Sequence, residues 1–277
     1  MNTRYLPDPE SMKMLSTEEL RDYFLVEEIF DAGLIQLLYV ELDRAIVGSA
    51  VPLKDSLKLE SNKQTMAADY FCERRELGIL NIGASGKVIV DGQTYEMANL
   101  DGLYVGRGSK QIEFYSDNSG EPAEYYLLSY PAHAAYPTQH IKRSEVSKTE
   151  LGTSQQANQR VIEKYIHVDG VKSAQLVMGV THLKEGNVWN TFPPHTHQRR
   201  TEIYFYFNLP DDELVFHFCG QPSETRHIVI RNKQAVISPS WSIHSGVGSS
   251  SYAFIWGMGG ENQAFDDMDA VNVNLID

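Results

Sequence analysis

The sequence predicts an all-β fold, a sandwich or barrel built from short strands, with few short helices. Short apolar runs alternate with turn signals from Asp69 to Tyr130 and again from Val161 to Met258. A helix start is clear at Ser16–Glu19, where a Ser-x-x-Glu capping box predicts a short helix that ends near Phe24. Many short strands with regular turns and little helix are typical of sandwiches and barrels.

Turn residues divide the first half of the chain into strands. Asp91-Gly92 is the strongest hairpin signal, because this dipeptide favours the tight turns that join antiparallel strands. We also expect a hairpin near the start, formed by Phe24–Phe30 and Leu34–Leu42 around Gly33. Further strands are expected at Ala45–Leu53, Leu77–Ile82, Lys87–Val90, Gln93–Met97, Gly102–Val105, Gln111–Tyr115 and Tyr125–Tyr130.

A polar, aperiodic stretch separates two β-rich halves. The predicted domains are residues 1–135, with an irregular N-terminal arm, and residues 161–277, joined by a linker at 136–160. Strands in the second half are expected at Val161–His167, Ala174–Leu183, Glu202–Asn208, Leu214–Phe218, Thr225–Ile230, Gln234–Ser238 and Tyr252–Met258. The tail after Glu261 carries Asp266, Asp267 and Asp269, and we expect this acidic tail to lie on the surface.

Composition narrows the class of function. The 277 residues include 24 basic and 37 acidic side chains, so the formal net charge is -13. Such a charge argues against nucleic acid and anionic membranes as partners. Two cysteines give no disulfide framework, and no apolar signal segment or membrane-length apolar run is present. We therefore expect a cytoplasmic protein with a small-molecule partner.

One stretch carries a metal-ligand pattern. His195 and His197 are two residues apart, so on a strand they share a face. Glu202 follows at the start of the next strand, and a Pro-led turn downstream ends in His244. Two imidazoles and a carboxylate that converge on one point are suited to a divalent metal ion. We predict a four-ligand site of His195, His197, Glu202 and His244.

The alternative is that this pattern arose by chance, since nine histidines in 277 residues is ordinary. A lone His-x-His pair would usually be surface or core histidines. The added Glu and the Pro-led turn favour the metal site. The other histidines lack such company and are interpreted as surface or satisfied core residues, with His217 and His227 as weaker candidates for the same cavity: His133, His140, His167, His182, His217 and His227.

The two halves resemble each other, which predicts an internal repeat. Arg74–Asn81 matches Arg199–Asn208, and Leu103–Gln111 matches Val236–His244. Under this overlay the positions of the three histidines are occupied, in the first half, by Tyr70, Cys72 and Gln111. These are poor divalent-metal ligands, so we expect the first half to be metal-free. A chance match between two β-rich stretches is the alternative.

The His-x-His…Glu and Pro-led His motifs resemble the two boxes of the cupin superfamily. This sequence departs from those boxes at Trp241, which replaces a glycine, and at Gly186, which lies further from the histidine pair than usual. Further stretches resemble the 5-keto-4-deoxyuronate isomerase family over nearly the whole chain: Glu73–Gly78, Asn187–Thr191, Gln221–His227, Ile237–Gly248 and Phe254–Met258. The resemblance implies a bicupin with two double-stranded β-helix (jelly-roll) barrels, one zinc ion in the C-terminal barrel, and a homo-oligomer, as hexamers occur in the family. It also implies a cytoplasmic role in pectin and uronate catabolism.

The implied reaction is an aldose–ketose isomerisation. It interconverts 5-dehydro-4-deoxy-D-glucuronate, also called 4-deoxy-L-threo-5-hexosulose uronate, and 3-deoxy-D-glycero-2,5-hexodiulosonate. A zinc ion would stabilise negative charge on oxygen, although four protein ligands also fit a structural zinc. An iron-dependent cupin dioxygenase, a non-enzymatic uronate sensor and a storage-type bicupin are the alternatives.

The residues that bind substrate and move the proton are less well marked. Arg200 and Arg226 are candidates for the substrate carboxylate, because an arginine binds a carboxylate in a bidentate way. Tyr204, Tyr206 and Asn208 share strand parity with the predicted glutamate ligand and are expected to line the cavity or to belong to the core. Tyr206 is the candidate for substrate contact. The sequence identifies no catalytic base.

Overall fold

The computed structural model describes residues 1–264 and 267–277 of the chain. The helices are α1 (Pro9–Met12), α2 (Thr17–Phe24) and α3 (Lys63–Met66), and short 3-10 helices lie at Leu42–Arg44, Phe71–Glu73, Arg143–Glu145, Ser154–Gln156 and Val273–Leu275. None of the helices in this described part is long and apolar enough to cross a membrane. The predicted capping box is confirmed, since Ser16 and Glu19 cap α2 reciprocally.

Strands make up most of the remaining structure. The first twelve are β1 (Asn2–Arg4), β2 (Leu25–Val26), β3 (Ile35–Val40), β4 (Ala45–Ala50), β5 (Leu57–Lys58), β6 (Arg75–Asn81), β7 (Gly86–Val90), β8 (Gln93–Met97), β9 (Gly102–Val105), β10 (Ile112–Ser116), β11 (Tyr125–Pro131) and β12 (Gln139–Ile141). The next twelve are β13 (Ser147–Leu151), β14 (Arg160–Ile166), β15 (Val177–Leu183), β16 (Trp189–Asn190), β17 (His195–Thr196), β18 (Arg200–Phe207), β19 (Val215–Gln221), β20 (Glu224–Ile230), β21 (Gln234–Ser238), β22 (Ser245–Gly248), β23 (Ala253–Gly260) and β24 (Asp269–Ala270). The expectation of a mostly β chain with few helices is confirmed.

The chain divides into two compact units. The first comprises Met1–Arg4, Ile29–Val146 and Tyr165–Val177, and the second comprises Tyr5–Glu28, Ser147–Lys164 and Met178–Asp277. These bounds differ from the predicted 1–135 and 161–277. Residues 5–28 belong to the second unit, residues 165–177 belong to the first, and the predicted linker is divided between the two.

The first unit contains a seven-stranded sheet in the order β1-β3-β4-β11-β6-β9-β12 and a four-stranded sheet in the order β5-β10-β7-β8. Their facing side chains form one apolar core, in which Leu77 and Ile79 of the larger sheet meet Val88 and Phe114 of the smaller one. The Asp91-Gly92 hairpin is confirmed: both residues have positive φ, and Val90 pairs with Gln93.

The second unit repeats this arrangement. Its seven-stranded sheet runs β13-β14-β15-β23-β18-β21-β2, and its four-stranded sheet runs β16-β22-β19-β20. From β3 to β9 in the first unit and from β14 to β21 in the second, the strands follow the same order. The small sheets also correspond strand by strand. The central strand β18 is buried along its whole length, between β23 and β21.

The hairpin expected near the start of the chain does not form. Leu25–Val26 pairs with Val236 and Ala235 of β21, so it forms no hairpin with Ile35–Val40, which pairs with β4 instead. The partner of a short apolar run depends on which sheet edge lies near it, and turn residues do not report that.

The predicted linker 136–160 also differs. It contains β12, which pairs with β9, and β13, which pairs with β14, and each lies at the edge of its sheet. Of the acidic tail, Asp269 is exposed and lies in β24, which pairs with β17, whereas Asp266 lies outside the described residues.

Candidate metal centre

The structure brings the four predicted ligands together in the second unit. His195 lies on β17, and His197 follows it. Glu202 is the third residue of β18, and His244 directly precedes β22. All four are buried, and one ligand atom from each lies within 4.8 Å of the others. Within the part of the chain that the structure describes, this is the one such cluster.

The ligand atoms form a closed ring of short distances. His195 Nε2 lies 3.2 Å from His197 Nε2 and 2.9 Å from His244 Nε2. Glu202 Oε2 lies 3.2 Å from His197 Nε2 and 3.0 Å from His244 Nε2. Three imidazole nitrogens and one carboxylate oxygen therefore converge on the same small space.

These distances fit a metal ion. Ligands with bonds of about 2.1 Å lie about 3.0 Å apart at right angles and about 3.4 Å apart in a tetrahedron. The observed 2.9 to 3.2 Å lies close to these separations, so the four groups are spaced as ligands of one ion would be. Neutral imidazoles cannot all donate to one another at such distances, so a cation among them resolves the conflict between their lone pairs.

Backbone contacts hold one ligand in the required tautomer. His197 Nδ1 lies 2.6 Å from the carbonyl oxygen of Asp267 and donates its proton there, which leaves Nε2 as a lone-pair donor. Arg200 is almost fully buried, and its Nη2 donates to the same carbonyl at 2.8 Å. Arg200 thus fixes the carbonyl that orients His197.

Burial and neighbouring charges set the protonation of the ligands. Burial, with a smaller contribution from His244, lowers the pKa of His195 to about 2, so its imidazole is neutral. Burial would raise the pKa of Glu202, but His244 and His197 lower it more, and it lies well below 4.5. For His195 and Glu202 the unprotonated form, which is the form that binds a metal ion, is therefore the stable one.

A cavity of about 420 Å³ opens onto the ligands. This volume lies in the range of small-molecule sites. Its walls are largely apolar, and its ionisable side chains among the described residues are Arg160, His195, His197, Glu202 and Tyr204. Other residues that line it include Leu151, Thr181, Asn190, Thr191, Phe192, Phe254, Trp256, Met258 and Met268.

The predicted substrate-binding residues lie elsewhere. Arg226 donates to the carbonyl oxygens of Met12 and Leu15, which ties the N-terminal arm to β20. Tyr206 is buried, with its hydroxyl 2.7 Å from His217 Nδ1, and Arg200 lies behind the metal ligands. None of Arg200, Tyr206 and Arg226 lines the cavity.

Sequence reasoning missed Arg160. It is the last residue of the predicted linker and the first residue of β14, and it lines the cavity. An arginine that directly precedes a predicted strand gives no signal of its own, because its position relative to the candidate metal ligands depends on the order of strands in the sheet.

His217 and His227 separate in the structure. His217 is fully buried against Tyr206, and His227 is exposed. Neither is among the residues that line the cavity.

The position in the first unit that corresponds to Glu202 is occupied by an apolar residue. Leu77 pairs with Val105 as Glu202 pairs with Ser238, so Leu77 stands where the glutamate ligand stands. Cys72 and Leu77 are both fully buried in the core. The nearby carboxylate, Glu76, accepts hydrogen bonds from the backbone amides of residues 174–176 at 2.7 to 2.8 Å. That carboxylate therefore has a structural partner.

Known proteins resemble this chain over nearly its full length. A protein from Caldicellulosiruptor bescii is 54% identical over 98% of both chains, and one from Escherichia coli O9:H4 is 53% identical over 94% of both. One from Halalkalibacterium halodurans is 50% identical over 99% of both chains. All three are named 4-deoxy-L-threo-5-hexosulose-uronate ketol-isomerase.

Solved structures share the fold. An IolB-like protein from Salmonella typhimurium LT2 has a TM-score of 0.73 at 14% identity, covering 90% of this chain and 96% of its own. Oxalate decarboxylase from Bacillus subtilis has a TM-score of 0.56 at 11% identity, covering 79% and 70%. The family described as KduI/IolB matches residues 27–274. With this match and relatives at 50 to 54% identity, the chain belongs to the KduI/IolB family.

Proposed function

We propose that this protein is a metal-dependent 4-deoxy-L-threo-5-hexosulose-uronate ketol-isomerase. The observation that carries the proposal is the full-length identity of 50 to 54% to relatives with that name. The structure supports it with four buried ligand groups, three of which, His195, His197 and Glu202, line a cavity large enough for a six-carbon sugar acid. The product is 3-deoxy-D-glycero-2,5-hexodiulosonate.

The reaction moves hydrogen between adjacent carbons. The aldehyde at one end of the substrate becomes a hydroxyl, and the neighbouring hydroxyl becomes a ketone, by a proton shift or a direct hydride shift. Either path builds negative charge on an oxygen atom. A bound divalent cation would supply a Lewis acid for that charge.

The protein side chains supply the rest. His195, His197, Glu202 and His244 hold the cation, and the apolar cavity wall keeps bulk water away from the reacting oxygens. Tyr204 lines the cavity, and burial raises its pKa well above 10, so its hydroxyl remains protonated and can donate to a substrate oxygen. Among the described residues that line the cavity, Glu202 is the one carboxylate.

Zinc is the metal we propose. Nitrogen and oxygen donors of this kind bind zinc well, and zinc is redox-inert, which suits a reaction with no net electron change.

The repeated strand order supports a bicupin, with two cupin barrels of which the second holds the metal. The apolar core at Cys72 and Leu77 supports a metal-free first barrel. A homohexamer, a cytoplasmic location and a role in pectin and uronate catabolism complete the proposal, and they rest on the family resemblance.

The test combines metal analysis with turnover. The protein is purified without added metal, its metals are measured per chain, and it is incubated with freshly generated substrate while NMR follows the product. We expect about one zinc per chain, with activity lost on chelation and restored by zinc. Zinc whose removal leaves activity intact would make the site structural. Bound iron with oxygen uptake and no isomerisation would contradict the proposal and indicate a dioxygenase.

A further inference from the structure

Arg160 is the cationic side chain of the cavity apart from the metal-binding histidines, among the described residues. It pairs with Leu151 in the β13–β14 ladder, and both residues line the cavity. Its Nη1 donates to the carbonyl oxygen of Asn158 at 2.9 Å. Asn158 is itself buried and accepts a bond from the Thr153 amide at 2.9 Å, so the anchor is fixed.

The remaining donors of Arg160 have no partner among the residues that the structure describes. Its Nε is buried without a hydrogen-bond partner, and Nη2 joins none of the hydrogen bonds or ion pairs among the described residues. A buried donor without a partner costs free energy, and a bound ligand that offers an acceptor would satisfy it. Burial lowers the pKa of Arg160, which indicates a guanidinium that lacks a compensating carboxylate.

The other arginines of interest are already engaged. Arg200 bonds the carbonyl that orients a metal ligand, and Arg226 bonds two carbonyls of the N-terminal arm. Of the described residues that line the cavity, Arg160 is therefore the one that offers a guanidinium to an acid, in a chain whose net charge is -13. Such a local positive group is what an anionic substrate requires in a negative overall field.

We propose that Arg160 binds the substrate carboxylate and gives the site its preference for sugar acids over neutral sugars. This inference rests on the proposed isomerase function. In the open-chain uronate the carboxylate stands at the opposite end from the aldehyde and its neighbouring hydroxyl. A guanidinium that holds the carboxylate would thus orient the reacting end toward the metal ligands without taking part in the hydrogen transfer.

The experiment compares Arg160→Gln and Arg160→Lys with wild type, using the uronate and its methyl ester as substrates. We expect Arg160→Gln to raise KM for the uronate on the order of 10- to 100-fold, with a smaller effect on kcat, because a charge-assisted bond is lost. For wild type, the KM for the methyl ester should exceed the KM for the uronate by a similar factor. Arg160→Gln should raise the KM for the ester little further, because the ester already lacks the carboxylate charge that Arg160 would bind.

Arg231→Gln is the matched control, since Arg231 is exposed and donates to the Glu213 carbonyl away from the cavity. We expect wild-type kinetics from it, and partial recovery of KM in Arg160→Lys. Metal content should equal that of wild type in every variant.

Two results would overturn the inference. One is an unchanged KM for the uronate in Arg160→Gln. The other is an equal loss on uronate and ester, which would indicate a structural role. If wild type itself fails to turn over the uronate, the proposed function fails instead, so the two failures are distinguishable.

Discussion

His217 makes the second unit sensitive to acid. It is fully buried, its Nδ1 accepts from the Tyr206 hydroxyl at 2.7 Å, and its Nε2 has no partner among the described residues. Burial, with a smaller contribution from His244, lowers the pKa of His217 from 6.5 to about 3. Below pH 6.5 the unfolded chain therefore binds a proton at this histidine, whereas the folded chain binds it only when the pH approaches 3.

The size of the effect follows from linkage. Stability is unaffected above pH 6.5, falls by about 1.4 kcal/mol per pH unit below it, and stops falling below the folded pKa. Between pH 7 and pH 5 the loss from His217 alone is about 2 kcal/mol. His217→Gln removes the titration while it keeps an acceptor for Tyr206.

The assay is urea unfolding followed by tryptophan fluorescence at pH 7 and pH 5. The three tryptophans, Trp189, Trp241 and Trp256, all lie in the second unit, so the signal reports that unit. We expect His217→Gln to lose about 2 kcal/mol less than wild type over this pH range. His227→Gln is the control, because His227 is exposed on the neighbouring strand β20. Equal pH dependence in wild type and His217→Gln would refute the reasoning.

Three further predictions concern packing, metal affinity and thiol reactivity. Gly179→Ala should lower activity, and it should lower the free energy of unfolding by about 1 to 3 kcal/mol. A Cβ at this position would lie 2.1 Å from the ring of Trp256, which lines the cavity. Wild-type activity and a wild-type melting temperature would contradict this prediction. Arg200→Lys should lower metal affinity about 10- to 100-fold by loosening the carbonyl that orients a ligand, and competition with a chelator measures it; unchanged affinity would count against that role. Burial raises the pKa of Cys72 and of Cys219 to about 12, so a thiol reagent at pH 8 should label neither until the protein unfolds, and rapid labelling of the native protein would show that these thiols are accessible.

Local sequence patterns were sufficient for many elements. The capping box at Ser16 and Glu19 and the Asp91-Gly92 turn form as expected, because both depend on residues that are neighbours in the chain. The expected strand Leu77–Ile82 also appears, as Arg75–Asn81.

The cluster of four candidate metal ligands was predictable for a different reason. Coordination demands particular side chains, and strand parity places alternate residues on one face. The pattern therefore remained legible even though His244 lies 42 residues beyond Glu202 (244 − 202).

The sequence by itself determined the β-rich class, the turns and the four ligand candidates, because each of these depends on local geometry or on the chemistry of single side chains. Only the tertiary structure decided that Leu25–Val26 joins β21, that Arg226 ties down the N-terminal arm and that Arg160 lines the cavity. These facts depend on which strands become neighbours in a sheet. That choice is made by the burial of whole faces, and no short stretch of sequence records it.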